Sequence, residues 1–397
     1  MTLSAAADPS QGPPIDRDPW SWWRRQMPVT AKWAYLDHAA VAPLPVPAVQ
    51  AISEFQRQAS EEGDTVWPEW SRRVETLRAQ FAALVGAETD EICLMPNTTA
   101  GVNLVAEGFP WSPGDSVVVP EGEFPSNLFP WLNQESKGVD VRIVPRRDGA
   151  VDLDDLFDAV DESTRIISAS WVGYSSGYRI DLNELVDRAH RRGVLVFVDA
   201  IQGLGMYPLD VNETPVDFLA ADGHKWLLGP EGAGMAMIRR EHVGLLRCAS
   251  VGWNSVKASH QFSGAEFDLR DTAARYEGGS ANMIGMAALS ASVGMFLDIR
   301  RTHGEAAIAE RILAQANFLV DQLRRRDLVT RFPERAEHQS GIVTFMSPGA
   351  DPAAIRTAAL EQGIVVSCRG GGVRASLHVY NTQDELTRLA DVAVGVR

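Results

Sequence analysis

Two periods of apolar residues alternate along the chain. In VETLRAQFAALVG (74 to 86), apolar positions recur at three- and four-residue intervals and a glycine follows the last, which predicts a helix with its stop. Beyond it, short β-branched runs alternate with helical patterns. VVV (117 to 119), VRIV (141 to 144), RIISAS (165 to 170) and VLVFVD (194 to 199) are predicted as buried strands, with FLAAD (218 to 222) and GMAMI (234 to 238) as two more. LNELVDRAHRRG (182 to 193) falls between two of them as an amphipathic helix closed by Gly193. Strand and helix in this order predict an α/β domain around a mostly parallel sheet with helices on both faces. Ligands in such folds gather at the carboxyl ends of the strands.

The texture changes after residue 280. ANMIGMAALSASVGMFLDI predicts a long helix, and a second runs from about Glu305 to Arg326. GIVTF (341 to 345) and GIVVS (363 to 367) are predicted as strands with DPAAIRTAALEQ as the helix between them, and LTRLADVAVGV closes the chain. The expected organisation is an N-terminal arm (1–20), a large domain (21–280) and a smaller α+β domain (281–397). The long helix joins the two domains, and the first residues of the large one are free to pack on the small one.

The 397 residues carry a net charge of −15, which gives no basic stripe for phosphate contacts and argues against nucleic acid as partner. Unbroken apolar runs fall short of the roughly 18 residues of a membrane span, and MTLSAAADPSQGPPIDRDPW lacks the basic and apolar segments of a signal peptide. Cys93, Cys248 and Cys368 are odd in number and scattered, so neither a disulfide framework nor a metal cluster is expected. A reduced, cytoplasmic setting is the matching expectation.

Four short stretches fall where strands end or helices begin. ADGHKWLLGPEGAG (221 to 234) holds Lys225, one of only four lysines among 37 basic side chains. A desolvated lysine amine forms an imine with an aldehyde, which arginine cannot do. A carboxylate, Asp199, ends VLVFVD, with Gln202 three residues on. Such a buried acid caps a helix, pairs with a cation, or holds a pyridine nitrogen in its protonated form. MPNTTAGVNLVA (95 to 106) opens a helix, where Asn97 or Thr98 either caps the end or helps cradle a phosphate on free amides. RYEGGSAN (275 to 282) enters the long helix. Together they supply an imine-forming amine, a pyridinium partner and a phosphate site, the set that pyridoxal 5'-phosphate requires.

From about Tyr35 to Leu389 the chain resembles the class V aminotransferase family, the branch with cysteine desulfurases and isopenicillin N epimerase. The resemblance rests on VDAIQGLG, DFLAADGHKWLLGPEGAGM, YLDHAAVAPLP (35 to 45), RYEGGSAN and RASLHVYNTQDEL (374 to 386), in that family's types and spacing. It implies the fold-type I architecture and a homodimer with shared active sites. It also implies that Lys225 carries the cofactor, Asp199 faces the pyridine nitrogen and Gln202 bonds the ring's phenolic oxygen. Thr98, Thr99 and His224 hold the phosphate, Ser280 reaches it from the other subunit, and Phe124 stacks on the ring. Arg374 is implied to grip an amino-acid substrate's α-carboxylate as a fork. His38 and His378 are candidate substrate contacts, and the side-chain pocket is expected around residues 38 to 44, 124 to 131 and 252 to 262.

Three departures stand out from the desulfurase pattern. Phe124 stands where those enzymes carry a histidine. Asp222 replaces a phosphate-binding serine, and because an acid beside phosphate is repulsive it is not counted as a ligand. VVSCRGGGVRASL passes almost directly from strand to Arg374 without the longer cysteine-bearing segment, and Cys368 is read as a packing residue. The expected activity is a pyridoxal-phosphate enzyme working at Cα or Cβ of an α-amino acid. Cleavage of a C–S bond by β-elimination without a persulfide cysteine leads, with aminotransferase or epimerase chemistry as the alternative.

Overall fold

The computed structural model describes residues 15, 17–261 and 266–396, so most of the expected arm lies outside the described residues. A helix already begins at Pro19, with the Asp18 side chain accepting from Ser21 N–H as its cap.

Thirteen strands are present among the described residues. They are β1 (Ala34–Tyr35), β2 (Ile92–Met95), β3 (Ser116–Pro120), β4 (Asp140–Val144), β5 (Thr164–Ser170), β6 (Leu195–Asp199), β7 (Phe218–Asp222), β8 (Gly234–Ile238), β9 (Val329–Arg331), β10 (Ile342–Met346), β11 (Ile364–Val365), β12 (Ser367–Arg369) and β13 (Gly372–Ser376). A seven-stranded sheet has the order β2-β8-β7-β6-β5-β3-β4, in which β8 alone is antiparallel to the other six strands. This is the mostly parallel α/β sheet that the apolar runs predicted.

Both faces of that sheet are apolar, which is why its strands read as unbroken runs rather than alternations. Val118, Ile167, Leu219 and Ala221 enter one buried cluster, while Val117, Val119, Ile166, Phe218 and Ala220 enter another on the opposite face. Each fully buried valine, isoleucine, leucine or phenylalanine among them contributes about 1.5–3 kcal/mol. On the second face the helix Thr98–Gly108 comes very close to β7, because a Cβ on Gly101 would lie 2.6 Å from the Ala220 Cβ. A glycine there lets the helix start beside Asp222.

The helix Trp67–Val85 ends on Gly86 at φ 71, the left-handed conformation its glycine foretold. The long helix spans Met283–His303. It is long and apolar enough to cross a bilayer, but Met286, Leu289, Val293, Phe296 and Ile299 are buried in the first cluster beside Leu77 and Phe81. Packing therefore cuts across residue 280.

The C-terminal region holds a four-stranded antiparallel sheet, β12-β13-β10-β9. One face (Val343, Phe345, Val373, Ala375) is buried with Leu319, Leu323, Ile355 and Leu389 from three helices. Ala34, Leu36 and Ile364 share that cluster. GIVVS is not one strand: β11 pairs in parallel with β1 in a two-stranded sheet, and β12 joins β13. The opposite face of β13 and β10 carries Arg374 and Thr344, paired in register, and Thr344 Oγ1 donates to Ser175 O. By this route the small sheet delivers Arg374 to the carboxyl edge of the large one.

Candidate active site

At that edge lies a cavity of about 490 Å3. Asn97, Thr98 and Thr99 follow β2, Phe124 and Ser126 follow β3, Tyr174 follows β5, Asp199 ends β6, and His224 and Lys225 follow β7. Because β8 is antiparallel, its approach supplies Glu231 and Gly232 at the same edge, and Arg369 and Arg374 close the cavity from β12 and β13. A larger cavity of about 830 Å3 shares only Gly232 with it and contains neither Lys225 nor Asp199. The chemistry sits in the smaller one.

Lys225 leaves β7 through a tight turn. Gly223 N–H donates to Ala233 O, Gly229 N–H donates to Gly223 O, and Leu228 adopts a left-handed φ of 56. Lys225 is 8% exposed, and its amine lies 5.4 Å from the centre of the Phe124 ring. Burial pulls its pKa down to about 8, against the attraction of Asp199. Asp199 is 3% exposed and accepts from Ile201 N–H at 3.0 Å. Burial pushes its carboxyl up to about 7, helped by the Glu123 charge and opposed by Lys225.

At the other end, the Asn97 side chain caps its helix by accepting from Ala100 N–H at 2.8 Å. With Asn97 as the cap, Thr98 and Thr99 still line the cavity. Thr98 Oγ1 accepts from Asp222 N–H at 3.0 Å, and Thr99 Oγ1 donates to Ser126 Oγ at 2.7 Å. Asp222, set aside in the sequence reading, lines the cavity too, with Oδ2 3.0 Å from His224 Nδ1.

Arg374 is 1% exposed; its Nη1 donates to Tyr174 O at 2.8 Å and its Nη2 to Asp37 Oδ1 at 3.1 Å. Its Nε is buried without a partner, and Arg374 lines the cavity with a second N–H left on each terminal nitrogen. Phe124 is 43% exposed and meets Tyr174 edge-on at 5.3 Å, so a ring face is free for stacking.

Four sequence-predicted residues do not line this cavity. Gln202 sits beneath it, with Nε2 donating to Ala39 O and Oε1 accepting from Trp226 Nε1, so one of its two amide donors is already spent. Ser280 is exposed on the larger cavity. His38 and His378 require correction as substrate contacts. Both are 0% exposed, in a cluster with Trp23, Trp226 and Tyr380. His38 contacts Ser376 O and the Tyr380 hydroxyl, and His378 contacts Trp226 O. The stretch 252 to 261, expected to wall the pocket, is absent from its lining, and residue 262 lies outside the described residues.

Tyr174, Ser126, Glu231 and Arg369 were not foreseen individually. Tyr174 follows the predicted strand RIISAS, so the strand-end rule marked its neighbourhood. Among the described residues no cysteine lines the cavity. Cys93 is buried in β2, Cys248 donates to Arg275 O, and Cys368 lies half-buried in β12.

A buried amine of lowered proton affinity, a buried carboxyl on the same cavity, a helix N-terminus and an open aromatic face fit pyridoxal phosphate. The comparisons agree. The aminotransferase class-V profile matches residues 34–389. The chain is 32% identical, over 93% of its own length and 96% of the relative's, to a probable cysteine desulfurase of Methanothermobacter thermautotrophicus. It is similar to the apo cysteine desulfurase of Thermococcus onnurineus NA1, with TM-score 0.85, 25% identity and coverage of 94% and 96% of the two chains. The fold is also that of the cystine C–S lyase C-DES, solved with its product cysteine persulfide, at TM-score 0.86, 24% identity and 93% and 99% coverage.

The chain therefore belongs to the class V aminotransferase family, with the fold-type I architecture. As a member it is an enzyme that works with pyridoxal phosphate.

Proposed function

We propose that the enzyme cleaves the C–S bond of a sulfur-bearing α-amino acid by β-elimination and releases the sulfur without a protein persulfide. The observation that carries this reading is a cavity holding both Lys225 and Arg374 but no cysteine. Full-length similarity to a probable cysteine desulfurase supports a sulfur amino acid as substrate.

When bound, pyridoxal phosphate supplies an electron sink conjugated to the substrate's Cα. Lys225 would carry it, Asp199 would keep the ring nitrogen's proton, and Thr98, Thr99 and His224 would hold the phosphate. Arg374, which lines the cavity, orients the substrate through its carboxylate. Once the substrate's own amine had displaced it from the cofactor, the Lys225 amine would take the Cα proton as general base, a role its lowered proton affinity suits near neutral pH. A sulfur leaving group departs as an anion of modest basicity, so a second acid is not needed at Cβ. Epimerisation would need a proton donor opposite Lys225, and the burial of His38 and His378 removes both histidines from that task.

A homodimer belongs to the same proposal. It is supported by Ser280, exposed on an open groove where a second chain's phosphate site would complete it. The test is incubation of holoenzyme with a panel of sulfur and ordinary amino acids. Sulfide or persulfide with pyruvate and ammonia is the expected output. Amino transfer dependent on a keto acid, without sulfur release, overturns the lyase reading.

A further inference from the structure

Glu123 is buried next to Phe124 without lining the cavity, and the proposed reaction gives it no task. Four strand ends form a row along the carboxyl edge of the large sheet, in the order β4, β3, β5 and β6. Arg146 follows the first and Glu123 the second, while Ser170 and Asp199 end the other two and pair in register. Both oxygens of Glu123 are engaged inside this row. Its Oε1 accepts from Arg146 Nη2 at 2.8 Å and from Ser170 N–H at 3.1 Å. Its Oε2 accepts from Asn127 Nδ2 at 3.1 Å and from the Ser170 hydroxyl. The Asn127 oxygen accepts from Ser168 Oγ and Trp131 Nε1, which turns its NH2 group towards Glu123. Four donors, one of them a guanidinium, are the surroundings of a carboxylate rather than of a carboxylic acid.

This arrangement does little for stability. Desolvating two buried charges offsets most of their attraction, and Arg146 Nε is left without a partner. Its effect falls on the neighbouring charges. Asp199 is acted on from both sides, by Lys225 from the turn after β7 and by Glu123 across β5. Arg146 enters from the outermost strand, so the ion pair presents its negative end to Asp199. The remaining charged groups on the cavity are Asp222, His224, Glu231, Arg369 and Arg374.

We infer that Glu123 is a positioning residue for the cofactor's ring nitrogen, a fixed negative charge behind Asp199 that keeps the shared proton on the nitrogen–carboxylate pair. The inference rests on the cofactor reading above and deepens it: Glu123 touches neither cofactor nor substrate, yet strengthens the electron sink by holding the ring protonated.

The test follows the ring-nitrogen resonance of holoenzyme loaded with pyridoxal phosphate isotopically labelled at that nitrogen. The pH at which the resonance leaves its protonated position should fall by about one unit in Glu123→Gln, which keeps the shape and loses the charge. The double variant Glu123→Gln/Asn127→Asp moves the carboxylate one partner along while preserving the hydrogen bond between the two side chains. It should restore the wild-type midpoint. Glu123→Met/Arg146→Met removes the pair without leaving either charge unpaired, and should show the same fall if Glu123→Gln fails to fold. Equal midpoints in the wild type and the charge-removing variant overturn the inference and leave the cofactor reading intact. A fall that the double variant with Asp at 127 does not reverse is a packing defect and overturns it too. Wild-type protein that binds no pyridoxal phosphate overturns both readings.

Discussion

Lys225 and Asp199 face one cavity from the ends of adjacent strands, and burial drives their proton affinities toward each other, to about 8 and about 7. An ordinary lysine would be almost wholly ammonium at neutral pH and an ordinary aspartate wholly ionised. The site thus holds a nucleophilic amine beside an acid able to share a ring nitrogen's proton.

Imine formation by the apoprotein with pyridoxal phosphate should follow the neutral fraction of Lys225. Its initial rate, read from the absorbance of the yellow product, is expected to rise through about pH 8 rather than through 10.5. Asp199→Asn removes the charge that favours the ammonium, so its midpoint should move lower still. A wild-type midpoint near 10 would show the amine to be solvated.

The same burial carries a stability cost with a definite sign. Asp199 has a folded pKa raised to about 7 against an unfolded value of 3.8, so the native state is penalised for its charge above pH 7. That penalty fades as pH falls from 7 toward 4. Apo Asp199→Asn, whose side-chain oxygen still accepts from Ile201 N–H, should be more stable than wild type at pH 8, by up to roughly 4 kcal/mol. The difference should vanish near pH 4. Denaturant unfolding at the two pH values measures it, and equal midpoints at pH 8 would contradict the buried charge.

His38 produces the opposite slope. Burial lowers its pKa to about 4, against a Ser376 carbonyl that favours the proton. The unfolded chain binds the proton first, so stability present above pH 6.5 is lost as pH falls toward 4, by roughly 3 kcal/mol. His38→Asn should flatten that stretch of the curve while leaving KM for the amino-acid substrate within about twofold. A large rise in KM with an unchanged stability profile would return His38 to the substrate pocket.

That correction marks how far the chain could be read without coordinates. The strands ending in Asp199 and Asp222 were visible because both faces of the sheet are apolar and each run stops at an acid. The helix ahead of Gly86 was visible because its stop is chemical. Histidines 38 and 378 resembled site residues because their motifs do, whereas Trp23 and Trp226, which help Tyr380 enclose them, come from distant parts of the sequence. β1 and β11 hold two residues each, too short to show a period, so the break in GIVVS left no signal. Arg369 and Glu231 reach the cavity from a strand end and a strand approach whose sheet partners the sequence does not reveal.

Arg374 allows the sharpest test of substrate orientation. Its two terminal nitrogens are tied to Tyr174 O and Asp37, so the guanidinium plane is fixed before any substrate arrives. On the proposed reading, a substrate carboxylate would use the second N–H that each terminal nitrogen keeps, with Arg374 lining the cavity. Lysine offers one ammonium on a flexible stem and cannot serve the Tyr174 carbonyl, Asp37 and a carboxylate in one plane. Losing a charge-assisted hydrogen bond of this kind costs about 1.5–3 kcal/mol. Arg374→Lys should therefore lower kcat/KM by about 10- to 150-fold, mainly through KM, while the absorbance of the bound cofactor stays unchanged. Loss of the cofactor band in this variant would move Arg374 from the substrate's side of the cavity to the cofactor's.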